Sequence, residues 1–182
     1  MKIPERYNHK SVLLDTSILI EISKGREGLR PFLLALKEAA MDPFIIDAVY
    51  FELIGHSDTV RDQMRLQEFV QTTYPVLPSR KEDVEQAIKL SVLCSMEDKR
   101  RYKTISYTDY LIAAQLVRYK ENILIATLNI DDFPAFIFER VSVAAYDMGD
   151  RVITIALVAY SADKMNRALE EYSHAVEAEM KK

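Results

Sequence analysis

The sequence predicts an α/β fold in three layers (α/β/α), with a central, mainly parallel sheet between layers of helices. Short apolar runs alternate along the chain with longer segments whose apolar residues recur at helical spacing. This alternation is typical of parallel sheets, because a helix is the usual crossover between two parallel strands. The chain has 182 residues, 49% of them hydrophobic, which is enough for the core of one domain, with or without an appendage.

Each predicted strand is a short apolar run. The runs lie at 11–15, 43–47, 74–78, 122–127 and 140–146. The predicted helices lie between these strands, and capping residues mark several of their ends. They cover 16–23, 27–40, 48–56, 58–73, 79–97 and 106–119. Asp47 and Ser79 are suited to begin two of the helices, and Gly25 and Gly55 are suited to end two.

Residues 151–182 are predicted to form an extension that follows a domain of residues 1–150. The extension has an apolar run at 151–161, predicted as a strand, and then an amphipathic helix. Apolar residues of this helix form one stripe: Met165, Leu169, Tyr172, Val176 and Met180. The stripe either packs on the same domain or is a docking face for a second copy or another partner.

Composition excludes several functional classes. Cys94 is the single cysteine, so one chain forms neither a disulfide framework nor a cysteine zinc site. The 4 glycines supply no phosphate-binding glycine loop. The net charge of -4 provides no overall basic field for nucleic acid, although an acidic metal site would itself be negative. Without a signal peptide or a long apolar stretch, we expect a cytoplasmic protein with no membrane span.

Acidic residues stand at element ends, where open α/β sheets bind their ligands. Asp15 ends the first predicted strand, and Asp131 and Asp132 follow the fourth. Asp109 lies in the first turn of the sixth predicted helix, and Glu52 is the one charged residue of an apolar helix. These positions make the acids candidates for a common site.

Most of these acids also have a purely structural interpretation. Asp15 could cap the helix that follows it. Asp109 stands three residues after Ser106, which is the spacing of a capping box. The aspartate pair after the fourth strand could belong to a turn. Glu52 is harder to explain in this way, because its neighbours are apolar and no lysine or arginine of its helix is placed to pair with it.

A divalent cation would explain all of these acids together. If the carboxylates converge, their repulsion is prohibitive unless a cation lies between them. Mg²⁺ and Mn²⁺ prefer carboxylate oxygens, and such a metal can orient a phosphodiester and activate an attacking water. The three histidines, His9, His56 and His174, show no metal-ligand spacing.

Four stretches resemble, in order, the signatures of PIN-domain ribonucleases, and most of all those of the VapC-type toxins of prokaryotic toxin–antitoxin pairs. They are VLLDTSILIEI, FIIDAVYFELI, ISYTDYLIAAQ and ILIATLNIDDFP, and the resemblance spans residues 10–147. The resemblance implies a site of four acids: Asp15, Glu52, Asp109 and Asp132. Asp132 is preferred to Asp131 because it directly precedes Phe133.

The resemblance further implies metal-dependent endoribonuclease cleavage of RNA, with Mg²⁺ or Mn²⁺ as the cofactor. Asp15 and Asp109 would bind the metal directly, while Glu52 and Asp132 would complete the site through metal-bound waters. It also implies a homodimer and an antitoxin that covers the site. The chain is longer than a typical member of the family, and the excess lies after residue 150. The resemblance therefore says nothing about those residues.

Candidate substrate contacts lie beside the acids and in one basic run. Thr16 and Thr127 could donate to a carboxylate or to a phosphate, and Asn129 belongs to the same signature as Asp132. The run KRRYK at 99–103 contains Arg100 and Arg101, which could contact RNA phosphates while the tyrosine stacks on a base. The alternative is a solvated charged loop.

Three other functions stay open at this stage. The first is a PIN-like nuclease outside toxin–antitoxin systems, acting in RNA maturation or on DNA. The second is a PIN-like binding module without catalysis. The third is a phosphotransfer domain with Asp15 as the nucleophile, but the haloacid-dehalogenase pattern requires a second aspartate two positions later, where Ser17 stands.

Overall fold

The structure is a computed structural model that describes residues 1–97 and 105–181. Its strands form one sheet in the order β3-β2-β1-β4-β6-β5. The strands are β1 (Ser11–Leu14), β2 (Asp42–Ile46), β3 (Val76–Leu77), β4 (Ile123–Thr127), β5 (Phe138–Asp147) and β6 (Val152–Tyr160). The pairs from β3 through β2 and β1 to β4 are parallel, whereas β6 runs antiparallel to both of its neighbours.

Helices connect the parallel strands. They are α1 (Thr16–Ser23), α2 (Arg30–Glu38), α3 (Asp47–Gly55), α4 (Val60–Thr73), α5 (Lys81–Glu97) and α6 (Tyr107–Tyr119), whereas α7 (Ala162–Met180) follows β6. The central strand β4 is buried at every position, and β1 is buried along Val12–Leu14. Strands buried on both faces require helices on both sides of the sheet. The predicted α/β class with a mainly parallel central sheet is confirmed.

Several predicted elements differ from the observed ones at their ends. The predicted helix at 27–40 begins with a 3-10 turn, Glu27–Leu29, before α2. Helix α4 begins at Val60 because the Thr59 hydroxyl accepts from the Asp62 amide and caps it. Strand β3 has only two residues, since prolines at 75 and 78 each remove a backbone donor beside it.

The strand of the predicted extension lies inside the sheet. β6 pairs with β4 on one side and with β5 on the other, and Ile155, Leu157 and Val158 are fully or almost fully buried. Strand β5 therefore reaches the rest of the sheet only through β6. The division at residue 150 stays a prediction, but this strand shares the core of residues 1–150.

Helix α7 buries a narrower face than the predicted stripe. Met165 and Ala168 are buried and Tyr172 packs against the core, whereas Leu169 is 46% exposed and Met180 is 83% exposed. The small Ala168 thus occupies the position that the stripe gave to Leu169. In the described ranges, no helix is both long and apolar enough to cross a bilayer.

Candidate active site

The sheet places the first site residues at its topological switch point. From β1 the chain proceeds to β2 and β3 on one side, and β4 later adds on the other side of β1. Asp15 directly follows β1, and Thr127 is the last residue of its parallel neighbour β4. Ligands of open α/β sheets bind beyond the carboxyl ends of strands at such a point.

Asp15 is buried, with 4% of its surface exposed, and hydroxyl groups hold its carboxylate. Ser17 Oγ donates to Asp15 Oδ2 over 2.6 Å, and Thr127 Oγ1 donates to the same oxygen over 2.7 Å. Asp15 is the N-cap of α1, but its side chain makes no capping hydrogen bond. The capping interpretation therefore does not explain this carboxylate.

A second layer of contacts fixes those two hydroxyls. The Leu128 amide donates to Ser17 Oγ over 3.2 Å, and the Asn129 amide donates to Thr127 Oγ1 over 2.9 Å. Each hydroxyl thus accepts from the backbone and donates its proton to Asp15. The segment after β4 sets the direction in which both hydroxyls point.

Glu52 joins this network through α1. Thr16 Oγ1 donates to Glu52 Oε2 over 2.7 Å, which connects the start of α1 to the middle of α3. Glu52 is half-buried. The consecutive residues Thr16 and Ser17 therefore orient two different acids, Glu52 and Asp15.

Asp109 takes part in the capping box that its spacing predicted. The Ser106 amide and hydroxyl both donate to Asp109 Oδ2, over 3.0 and 2.7 Å, and Ser106 Oγ accepts from the Asp109 amide over 3.1 Å. This box begins α6. These contacts engage one carboxylate oxygen, so the structural role of Asp109 does not exclude a second role for Oδ1.

Asp132 and Asp131 occupy different environments. Asp131 is 76% exposed at its side chain, and its carboxylate lies 3.5 Å from Arg140 Nη2. Asp132 is half-buried at the end of a 3-10 turn, Ile130–Asp132. Asp132 is thus less exposed than Asp131, and the preference for Asp132 as the fourth site acid stays a prediction.

The acids are close enough to perturb one another. Burial raises the pKa of Asp15, and the charge of Glu52 adds to the rise while the Ser17 and Thr127 hydroxyls oppose it. Burial also raises the pKa of Asp109, and the charges of Asp15 and Glu52 add to it. Burial, followed by the charges of Asp109 and Asp15, raises the pKa of Asp132 to about 6.

None of the four acids forms an ion pair with lysine or arginine within residues 1–97 and 105–181. Within these residues, the donors to Asp15, Glu52 and Asp109 are hydroxyl and amide groups. Carboxylates without a basic partner favour a nearby cation.

In the same described ranges, no three His, Cys, Asp or Glu side chains are gathered tightly enough to ligate one ion. A protein cage of three or more direct ligands is thus not preformed. Mg²⁺ needs no such cage, because it commonly keeps several waters and uses one or two carboxylates. The donors present here are carboxylate oxygens, which are the ligands that such a cation prefers.

The predicted substrate contacts are distributed unevenly. Thr16 and Thr127 lie in the site, but their hydroxyls already donate to carboxylates. The Asn129 side chain is exposed beside them. Arg100 and Arg101 lie outside the described residues.

The sequence did not indicate Lys164 of α7, which contacts the loop that carries Asp132. No local sequence pattern signals such a long-range contact.

A crystal structure of DNA-bound VapBC from Salmonella typhimurium contains a chain with a similar fold. The TM-score is 0.50 with 18% sequence identity, and the match covers 68% of this chain and 90% of that chain. At this identity the likeness shows the fold, which is the PIN-like α/β fold expected from the sequence. No protein-family model and no curated protein matches the sequence.

Proposed function

We propose that this protein is a divalent-metal-dependent endoribonuclease, with Mg²⁺ or Mn²⁺ as its cofactor, and that it acts as a VapC-like toxin. The observation that carries the proposal is the convergence of Asp15, Glu52, Asp109 and Asp132 from four separate segments. Burial and the charges of neighbouring acids raise the pKa of Asp15, Asp109 and Asp132, and no described basic side chain pairs with any of the four. Repulsion among these carboxylates destabilises the folded protein, and a bound cation would offset that destabilisation.

Asp15 and Asp109 would hold the cation directly. In each, the hydroxyl contacts fall on Oδ2, which leaves Oδ1 for the cation. When bound, the cation would orient the phosphodiester and favour ionisation of an attacking water. Glu52 and Asp132 would accept hydrogen bonds from waters around it, and either carboxylate could accept a proton from the nucleophilic water.

The hydroxyl groups would serve this chemistry by fixing the acids in place. Ser17 and Thr127 hold Asp15, and Thr16 holds Glu52. Since the Thr16 and Thr127 protons are engaged by carboxylates, we assign these two residues to orientation of the acids rather than to contact with RNA. Asn129, Arg100 and Arg101 remain the proposed substrate contacts.

A protein partner belongs to the same proposal, either an antitoxin or a second copy in a homodimer. Phe51 is 82% exposed on α3 and Tyr107 is 60% exposed on α6, and both line a groove of about 880 Å³. Large exposed apolar side chains in one groove are typical of protein contact surfaces. Light scattering on the purified protein, alone and after co-expression with a small gene adjacent to its own, tests both partners.

The activity is tested by incubating the protein with a mixed, structured RNA pool in Mg²⁺, in Mn²⁺ and in chelator. Asp15→Asn runs in parallel to detect contaminating nuclease. Asp58→Asn, which neutralises an exposed aspartate away from the site, is the matched control. We expect cleavage that requires metal, is lost in Asp15→Asn and is retained in Asp58→Asn.

Other outcomes would assign the protein to another function. Cleavage of DNA in preference to RNA would favour a DNA nuclease. A folded protein that cuts no nucleic acid in either metal, including candidate transfer and messenger RNAs, would favour a binding module and contradict the proposal.

A further inference from the structure

We infer that Lys164 is a positioning residue for Asp132, so that the C-terminal segment of the chain helps to build the candidate active site. The inference rests on the proposed function for its catalytic consequence, but the contacts that support it are independent of that function. It concerns the loop of residues 128–137, which connects β4 to β5 and carries Asp132.

Both ends of this loop are set by β6. Thr127, before the loop, lies opposite Ala156, and Phe138, after it, lies opposite Tyr160. Because β6 separates β4 from β5, the loop must cross two strand spacings, roughly 10 Å. A loop that crosses an intervening strand needs contacts of its own to hold one conformation.

Local contacts make the loop rigid in two parts. In the first, the Asp132 amide donates to the Asn129 carbonyl over 3.1 Å. In the second, the amides of Ile137 and Phe138 both donate to the Pro134 carbonyl, over 3.0 and 2.9 Å. Phe133, 1% exposed, joins the two parts and packs edge-on against Phe138, with ring centroids 6.1 Å apart.

Lys164 fastens the second part to α7. Its ammonium donates to the Ala135 carbonyl over 2.7 Å and to the Phe138 carbonyl over 2.8 Å. The side chain is half-buried, and hydrogen bonds from a charged donor are roughly twice as strong as neutral ones. Lys164 lies four residues after the end of β6, so the strand that sets the ends of the loop and the lysine that binds it belong to one short segment of the chain.

Asp132 is separated from the clamped Ala135 by only two residues, one of them the stiff Pro134. A shift of the turn that Lys164 binds would therefore displace the Asp132 carboxylate by a similar distance. Displacing an active-site group by about 1 Å is enough to slow catalysis substantially. Lys164 would thus act on the reaction through Asp132, without contact with RNA.

The loop itself is tested by hydrogen exchange on the metal-free protein. Lys164→Met removes both hydrogen bonds, and Lys181→Met is the matched control, because Lys181 is exposed at the far end of the same helix. We expect the peptide covering residues 130–138 to exchange about tenfold faster in Lys164→Met and to be unchanged in Lys181→Met. Unchanged exchange in Lys164→Met would overturn the clamp.

The catalytic consequence is tested with a double-mutant cycle. We expect Lys164→Met to lower kcat about tenfold with an unchanged KM for RNA, and Lys164→Arg to restore most of the loss. In an Asp132→Asn background, the same lysine substitution should have little further effect. Independent, multiplying losses would show that Lys164 does not act through Asp132.

The two arms separate the inference from the proposed function. If the wild-type protein cuts no RNA, the proposed function fails, while the exchange experiment still decides whether Lys164 holds the Asp132 loop. If the wild-type protein cuts RNA and Lys164→Met cuts equally well, the inference fails and the proposed function stands.

Discussion

Among the four acids, Asp132 is the one whose ionisation a change of pH can examine most readily. Its pKa of about 6 in the folded protein lies above the ordinary value of 3.8, first because the group is partly buried and then because Asp109 and Asp15 repel its charge. The folded state therefore binds this proton more tightly than the unfolded state. Folding without metal should become more favourable as the pH falls through 6.

We predict that the metal-free protein is more stable at pH 5 than at pH 7, as measured by urea unfolding in chelator. Asp132→Asn should raise stability at pH 7 and flatten this dependence, because the amide cannot ionise. The control Asp58→Asn should leave the dependence unchanged. A wild-type protein that loses stability steadily from pH 7 to pH 5, with Asp132→Asn following it, would contradict the electrostatic description of the site.

At the residue level, local sequence patterns were enough to select candidate acids, but they did not show which groups hydrogen-bond to those acids. Asp15 and Asp132 follow apolar strands, and Asp109 lies in a capping box, all of which are local patterns. The donation from Thr127 to Asp15 joins residues 112 positions apart, and the sequence offered it only as one of two options. The choice between carboxylate and phosphate required the side-chain geometry.

At the level of elements, the 3-10 turn Glu27–Leu29 packs against the turn between β5 and β6. A Cβ atom on Gly28 would lie 2.1 Å from the Asp147 carbonyl oxygen. Nearby, Glu21 of α1 is buried and accepts from Arg151 Nη2 over 2.6 Å and from Lys24 Nζ over 2.8 Å. These contacts fasten the turn between β5 and β6 to the end of α1.

We predict that Gly28→Ala destabilises the protein by about 3 kcal/mol, since neither backbone can move away freely. Gly55→Ala is the matched control, because a Cβ there meets nothing within 4 Å at the end of α3. It should be neutral or slightly stabilising. Urea unfolding measures both changes, and equal stability of the two variants would show that the turn does not pack against residue 28 in solution.

The ends of helices were predictable where the capping residues are close in sequence. They were missed where a capping contact joins distant parts of the chain. Ser106 marked the start of α6 correctly, because its capping box lies within four residues. Asp47 was expected to cap α3. It lies inside the first turn of that helix, and its carboxylate accepts from the Ala48 amide and from the amide and hydroxyl of Ser79. Ser79 comes from another part of the chain, so no local pattern reveals the contact.

At the level of the whole molecule, the position of β6 is the main feature that the sequence did not indicate. The apolar run at 151–161 predicted a strand, but it carries no signal for its neighbours in the sheet. Strand pairing is decided by contacts between distant residues, and β6 pairs with β4 some thirty positions earlier, Ile125 with Val158. The mainly parallel order of β1 to β4 followed from strand–helix alternation alone.

We predict that residues 1–150 do not fold without the rest of the chain. Without β6, one edge of β4 would be exposed and β5 would have no partner strand. A chain ending at residue 177 serves as the control, because the last turn of α7 is exposed. Urea unfolding, monitored by circular dichroism, should show a cooperative transition for the control and no transition for residues 1–150. A cooperative transition of the shorter chain would show that residues 151–182 are an independent extension.

Mn²⁺ binding, measured by calorimetry at neutral pH, tests the proposed metal site most directly. Wild-type protein should bind Mn²⁺, Asp15→Asn and Asp109→Asn should each weaken binding by about tenfold or more, and Asp58→Asn should bind as wild type does. Wild-type protein that binds no Mn²⁺, or site variants that bind as tightly as wild type, would contradict the assignment of these acids to a metal site.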